Sequence, residues 1–173
     1  TARWAADTMP TQRLLPEEAM TPETDAALET EVARHYTTGR LLDRIGQALE
    51  ASGVDPAAPC AADLKPVDEF HIGGVKATQA LLEPLGPRAD MRVLDLGSGL
   101  GGTPRFIAQT WGCHVTGIDL TPEFVETATA LSALVGLQDR TAFTCGSATD
   151  LPFPADSFDL VTMIHVGMNI PDK

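Results

Sequence analysis

Two kinds of periodicity divide the chain. Over residues 25–51 the apolar positions Ala27, Leu28, Val32, Tyr36, Leu41, Leu42, Ile45 and Leu49 recur at helical spacing, and Gly39 splits the run into two helices. A linker follows over residues 52–65, marked by Gly53, Pro56 and Pro59. Val75, Ala77, Thr78, Ala80, Leu81 and Leu82 predict a further helix, stopped by Pro84, Gly86 and Pro87. Residues 1–24, rich in Pro, Thr and Met, carry no period and read as an irregular arm.

From residue 92 the stripes give way to short apolar runs. Residues 92–96, closed by Gly97, predict a strand buried on both faces. Residues 104–111 predict a helix with Pro104 in its first turn. A second strand over residues 114–118 ends at Asp119. Thr121-Pro122-Glu123 then opens a helix with a capping hydroxyl, a proline and an acid, and this helix runs to about Val135 and stops at Gly136. Residues 141–145 and 158–164 predict a third and a fourth strand. Strands alternating with helices of 10 to 15 residues indicate an α/β fold built on a doubly wound parallel sheet, here with an N-terminal helical extension.

Composition narrows the partners. The chain has 173 residues, 43% apolar and 21% charged, which suits one globular domain of ordinary size. Its net charge of -12 is spread along the chain with no basic stripe, so no nucleic acid and no anionic lipid surface is expected as partner. No apolar stretch approaches the roughly 20 residues of a membrane span, and the first residues form no export leader. Cys60, Cys113 and Cys145 form an odd set without CxxC spacing. They read as buried free thiols in a reducing, cytoplasmic setting. Cys113 and His114 have no further ligand nearby, so no metal is expected.

The candidate chemistry lies in residues 93–102. Glycines after a buried strand allow a sharp turn and a close approach of ligand to main-chain amides. Gly97, Gly99 and Gly102 satisfy GxGxxG, and Asp119, about 20 residues on, can bind ribose hydroxyls, which together make the dinucleotide fingerprint. Asp95 argues for a different ligand. Two residues before the first glycine, its carboxylate would repel a pyrophosphate and attract an ammonium or sulfonium. The pattern D-x-G-x-G-x-G over residues 95–101, with an acid closing the next strand, resembles the class I methyltransferases that use S-adenosylmethionine (SAM).

That resemblance extends over about residues 30–173. Residues 146–153 and 156–161 look like the family's third-strand loop and fourth strand, with Ser147 where members usually carry Asp. Residues 68–74, Asp-Glu-Phe-His-Ile-Gly-Gly, are similar to a segment of small-molecule methyltransferases acting on tocopherol precursors, sterols or glycine derivatives. Residues 35–39 resemble the Tyr-bearing lid of the same group. The likeness implies a Rossmann-like SAM-binding domain over residues 66–173, preceded by an arm and helical lid over residues 1–65. It implies that Asp95, Gly97, Ser98 and Gly99 surround the methionine part of SAM, with Asp95 reaching its ammonium. Asp119 would hold the ribose hydroxyls, Leu120 would pack on adenine, and Ala148 would offer its amide to the ring beside Ser147. His165 would lie near the transferred methyl as a base, and Tyr36 and His71 would belong to the lid or substrate site.

Other readings stay open: Asp95 as a loop-capping acid, Asp119 as a helix cap, His71 as a cap, Tyr36 as core, and His165 as a satisfied histidine at a strand end. The function implied is methyl transfer from SAM to a small-molecule acceptor. A non-catalytic methyltransferase-fold subunit and a nicotinamide or flavin oxidoreductase are the alternatives. In the family's strand order 3-2-1-4-5-7-6 the fourth strand would be an exposed apolar edge here. The expectation is therefore a fragment, or a chain completed by a partner or by another copy of itself.

Overall fold

The structure, a computed structural model, describes residue 30, residues 40–68 and residues 73–170. Three helices precede the sheet: α1 (Leu41–Ala51), the single turn α2 (Lys65–Asp68) and α3 (Gly74–Leu82). The sheet region then runs β1 (Arg92–Leu96), α4 (Gly102–Trp111), β2 (His114–Asp119), α5 (Pro122–Leu134), β3 (Thr141–Cys145) and β4 (Leu160–Thr162). The break expected at Gly39, together with Tyr36 and His71, lies outside the described residues.

All strand pairs are parallel, in the order β3-β2-β1-β4. The two helical crossovers from β1 to β3 step the same way along the sheet, so the right-handed connection rule sets α4 and α5 against one face. After β3 the chain passes to the other side of β1. The order therefore reverses at the β1/β4 boundary, giving the doubly wound, Rossmann-like arrangement expected.

Burial follows position in the sheet. Val93 and Leu94, consecutive in β1, are both buried because a central parallel strand is covered on both faces. One core cluster joins Leu82, Val93, Ile107, Ala108, Cys113 and Val115. A second joins Ile45 and Leu49 of α1 to Leu64, Leu100 and Leu131. Helix α1 thus docks on α5 through an i, i+4 pair, and the Glu123 carboxylate accepts a hydrogen bond from the Leu41 amide at 2.9 Å. Ala128 and Ser132 on the buried stripe of α5 are small, which allows close packing.

Several local expectations are corrected. The fourth strand covers Leu160–Thr162, not residues 158–164. At its start the Asp159 carboxylate accepts from the Arg92 amide at 2.7 Å, and past Thr162 β1 has already turned away at Gly97. The linker contains a 3-10 turn at Ala61–Leu64 that runs into α2, with the Asp63 carboxylate accepting from the Cys60 amide at 2.8 Å. Helix α4 starts two residues before Pro104. Thr121 occupies the N-cap position of α5, but its hydroxyl makes no capping hydrogen bond. Of the three thiols, Cys113 is buried whereas Cys60 and Cys145 are exposed, and all three are free.

Candidate functional site

The carboxyl ends of the four strands open on one cavity of about 620 Å³, at the strand-order reversal where open α/β sheets bind ligands. Its wall includes Asp95, Gly97, Ser98 and Gly99 after β1, and Asp119 and Leu120 after β2. Ser147 and Ala148 follow β3, and His165 follows β4. The structure therefore brings together every described residue singled out from the sequence.

The glycine turn is shaped from beneath by β2. The amides of Gly97 and Ser98 both donate to the Ile118 carbonyl, at 2.8 and 3.0 Å. Gly97 has φ +68°, and a Cβ there would lie 2.3 Å from the Val166 side chain, so glycine is required on both counts. Gly99 has φ +53° with nothing within 4 Å of a built Cβ, which leaves its cavity side open to a ligand. Asp119 ties the turn to the next helix. One of its carboxylate oxygens accepts from the Gly99 amide at 2.8 Å, the other from the Thr121 amide at 2.9 Å. The carboxylate thus holds the residue at the helix start through its amide, while the Thr121 hydroxyl makes no capping bond. Each oxygen retains a second lone pair for a ligand hydroxyl.

Asp95 is 3% exposed. Burial pushes its carboxyl up to about 7, the Thr162 hydrogen bond opposes the rise, and the charge of Asp119 adds to it. Thr162 Oγ1 lies 2.6 Å from Asp95 Oδ1 and 3.3 Å from the Leu94 carbonyl. The hydroxyl has one proton, so it donates to ionised Asp95, or to Leu94 while accepting from the neutral acid. Ser98 Oγ is buried without a hydrogen-bond partner. At the third strand the Ser147 hydroxyl is engaged locally with Thr149, through its amide at 3.1 Å and its hydroxyl at 2.8 Å.

His165 is exposed on the rim with φ +57°, a conformation costly for a non-glycine residue. The short turn after it brings in Met168, Asn169 and Ile170, which sequence reasoning passed over. Thr162 was also missed, because only the β1/β4 register places it opposite Asp95. Asp68 is a further cavity residue. It pairs with Arg105, whose guanidinium is 2% exposed and is pulled below its ordinary pKa by burial, with Asp68 opposing. A signal for this pair existed: Arg105 shares the buried face of α4 with Ala108 three residues on.

The cavity wall is acidic, with Asp68 offset by Arg105 behind it and Asp95 held toward its neutral form. Asp68, Asp95 and Asp119 face the cavity, and among the described lining residues there is no Lys or Arg. No group of three His, Cys, Asp or Glu side chains among the described residues is placed to hold a metal. Among them, too, no helix is long and apolar enough to cross a membrane.

Comparison with known proteins agrees with this geometry. A family profile described as "Methyltransferase domain" matches residues 93–173. A probable tocopherol O-methyltransferase from Oryza sativa subsp. japonica is 42% identical over 81 residues, covering 47% of this chain and 22% of its own length. A glycine/sarcosine/dimethylglycine N-methyltransferase from Actinopolyspora halophila is 31% identical over 106 residues, covering 59% of this chain and 19% of its own. The chain thus spans about a fifth of the length of these two relatives. A SAM-dependent methyltransferase from Thiobacillus denitrificans, solved with S-adenosylhomocysteine, superposes with a TM-score of 0.52 at 26% identity, over 63% of this chain and 44% of that one.

Proposed function

We propose that this chain, matched by the methyltransferase-domain profile over residues 93–173, is a class I SAM-dependent methyltransferase whose cavity binds SAM and serves methyl transfer to a small-molecule acceptor. The observation that carries the proposal is the cavity's chemistry: Asp119 and the buried acid Asp95 face it, Asp68 beside them is matched by Arg105 behind the wall, and among the described wall residues there is no Lys or Arg. A diphosphate would meet repulsion there, whereas an ammonium and a sulfonium are attracted. The open side of Gly99 fits a polar ligand laid along the turn.

In this reading Asp119 accepts from the ribose hydroxyls and Leu120 packs on adenine. The Ala148 amide faces the ring, with Ser147 beside it. Asp95 and the Gly97–Gly99 turn hold the methionine end, the carboxylate ionising as the ammonium approaches. When bound, SAM supplies a methyl on a sulfonium for in-line displacement. Such a reaction asks the protein mainly for alignment and exclusion of water, and alignment is worth on the order of 7–11 kcal/mol. His165, which shares the cavity rim with Val166, Met168 and Ile170, takes a proton in this reading from an acceptor OH or protonated amine. A soluble, reducing compartment remains the setting proposed, and the proposed cover for the β4 edge is further strands of a longer protein of which this chain is a piece, a partner chain or another copy.

Calorimetry with SAM tests the assignment. Asp119→Ala should weaken binding about 100-fold or more, because two charge-assisted hydrogen bonds at roughly 1.5–3 kcal/mol each are lost. Unchanged affinity in that variant overturns the ribose role. His165→Ala should leave affinity within about threefold and lower turnover with an acceptor whose nucleophile must lose a proton.

A further inference from the structure

Resting on the SAM-site reading, we propose that the Asp68–Arg105 ion pair is a positioning device that clamps the end of α2 onto the glycine turn and so sets one wall of the cofactor cavity. Arg105 lies outside the wall of the 620 Å³ cavity, whereas Asp68 lines both that cavity and a neighbouring one of about 320 Å³. Arg105 therefore acts on the site through Asp68.

The contacts are directional. From α4, the Arg105 guanidinium reaches Asp68 of α2 with one amino group. With the other it donates to the Ala128 carbonyl and the Ser132 hydroxyl of α5, both at 3.3 Å. Helix α2 is a single turn of four residues, too short to hold itself in place. Its last residue is pressed on the base of the turn. A Cβ on Gly102 would lie 2.7 Å from both Asp68 Cβ and the Asp68 carbonyl oxygen. The close approach and the ion pair fix the same residue from two sides.

Energetics point to placement over stability. A buried ion pair loses most of its attraction to desolvation, and a well-packed apolar pair holds two helices at least as well. Here Arg105 Nε is also left buried without a hydrogen-bond partner. What a guanidinium adds is a rigid fork that defines where its carboxylate sits. In this fold that carboxylate sits on the cofactor wall.

A double-mutant cycle on the full chain tests the clamp, with S-adenosylhomocysteine as the calorimetric probe and hydrogen exchange as a second readout. Asp68→Asn and Arg105→Met should each weaken binding about tenfold or more. The double variant should lose no more than the worse single, because the pair acts as one unit. Exchange should quicken at residues 61–68 and 99–103 while β3 amides stay unchanged, a localisation that general destabilisation would not produce. If Arg105→Met does not fold, Arg105→Lys, which keeps charge but not the fork, takes its place. Affinities within threefold of wild type in both singles, losses that multiply in the double, or equal quickening in β3 overturn the proposal. A wild-type chain that binds no S-adenosylhomocysteine overturns the SAM reading instead, and the exchange pattern then decides the clamp by itself.

Discussion

Asp95 destabilises the fold that holds it. Its carboxyl titrates near 7 in the native state against an ordinary value of 3.8. Between about pH 4 and 7 the unfolded chain has released this proton while the native state keeps it. For an acid with a raised pKa the stability contribution is therefore full below pH 4, declines through that window and is level above it. Asp95→Asn removes this dependence. Its Tm advantage over wild type should grow from pH 4 to pH 7, by the equivalent of a few kcal/mol at most, while SAM affinity at pH 8 falls about tenfold. Thermal melts across that pH range together with calorimetry check both signs; an advantage that is flat with pH contradicts the assignment. His165 is strained in a different way, by its positive φ. Replacement by glycine should raise stability by about 1 kcal/mol, read as a higher Tm, while turnover drops. Asp95, Gly97, Gly99 and Asp119 were legible in the sequence because their spacing is itself the signal. Thr162, the partner of Asp95, was not, since 67 residues separate them and only strand register makes them neighbours.

Secondary-structure elements were legible to the degree that their own residues decide them. β1, β2, β3 and α5 carry local signals, and their positions follow the apolar runs and glycine stops. The length of β4 depends instead on its neighbour: the apolar run spans residues 158–164, yet pairing lasts only as long as β1 stays beside it, from Val93 opposite Leu160 to Asp95 opposite Thr162. The helical turn at residues 61–64 escaped notice because Cys60 and Asp63 cap it where Ser or Thr would have announced it. Helix α1 shows the same limit, since the carboxylate at its start comes from Glu123, 82 residues away. Glu123→Ala should cost about 1 kcal/mol and speed hydrogen exchange in the first turn of α1. Glu123→Gln, whose amide oxygen still accepts, should be milder. Equal exchange in both variants and wild type would rule out a capping role.

For the whole molecule, the parallel sheet was legible in the alternation of strand and helix and the place of the cavity in an acidic glycine turn after the first strand, whereas the strand order β3-β2-β1-β4 came only from the family resemblance. What covers the outer edge of β4 did not follow. Val161 and Met163, 54% and 46% exposed, lie along that edge, and unpaired apolar edges invite association. Val161→Lys should accordingly lower the concentration-dependent association seen by light scattering; an unchanged mass distribution would show that the edge takes no part. The same three-residue strand supplies the hydroxyl that steadies the buried acid of the cavity. One short element thus answers to two neighbours, and a chain that added itself to the rim of the sheet would be coupled to the pocket to the extent that it shifted Thr162 against Asp95. Thermodynamic reciprocity makes any such coupling mutual: filling the pocket would alter the strength of that lateral contact by the factor with which the contact alters filling.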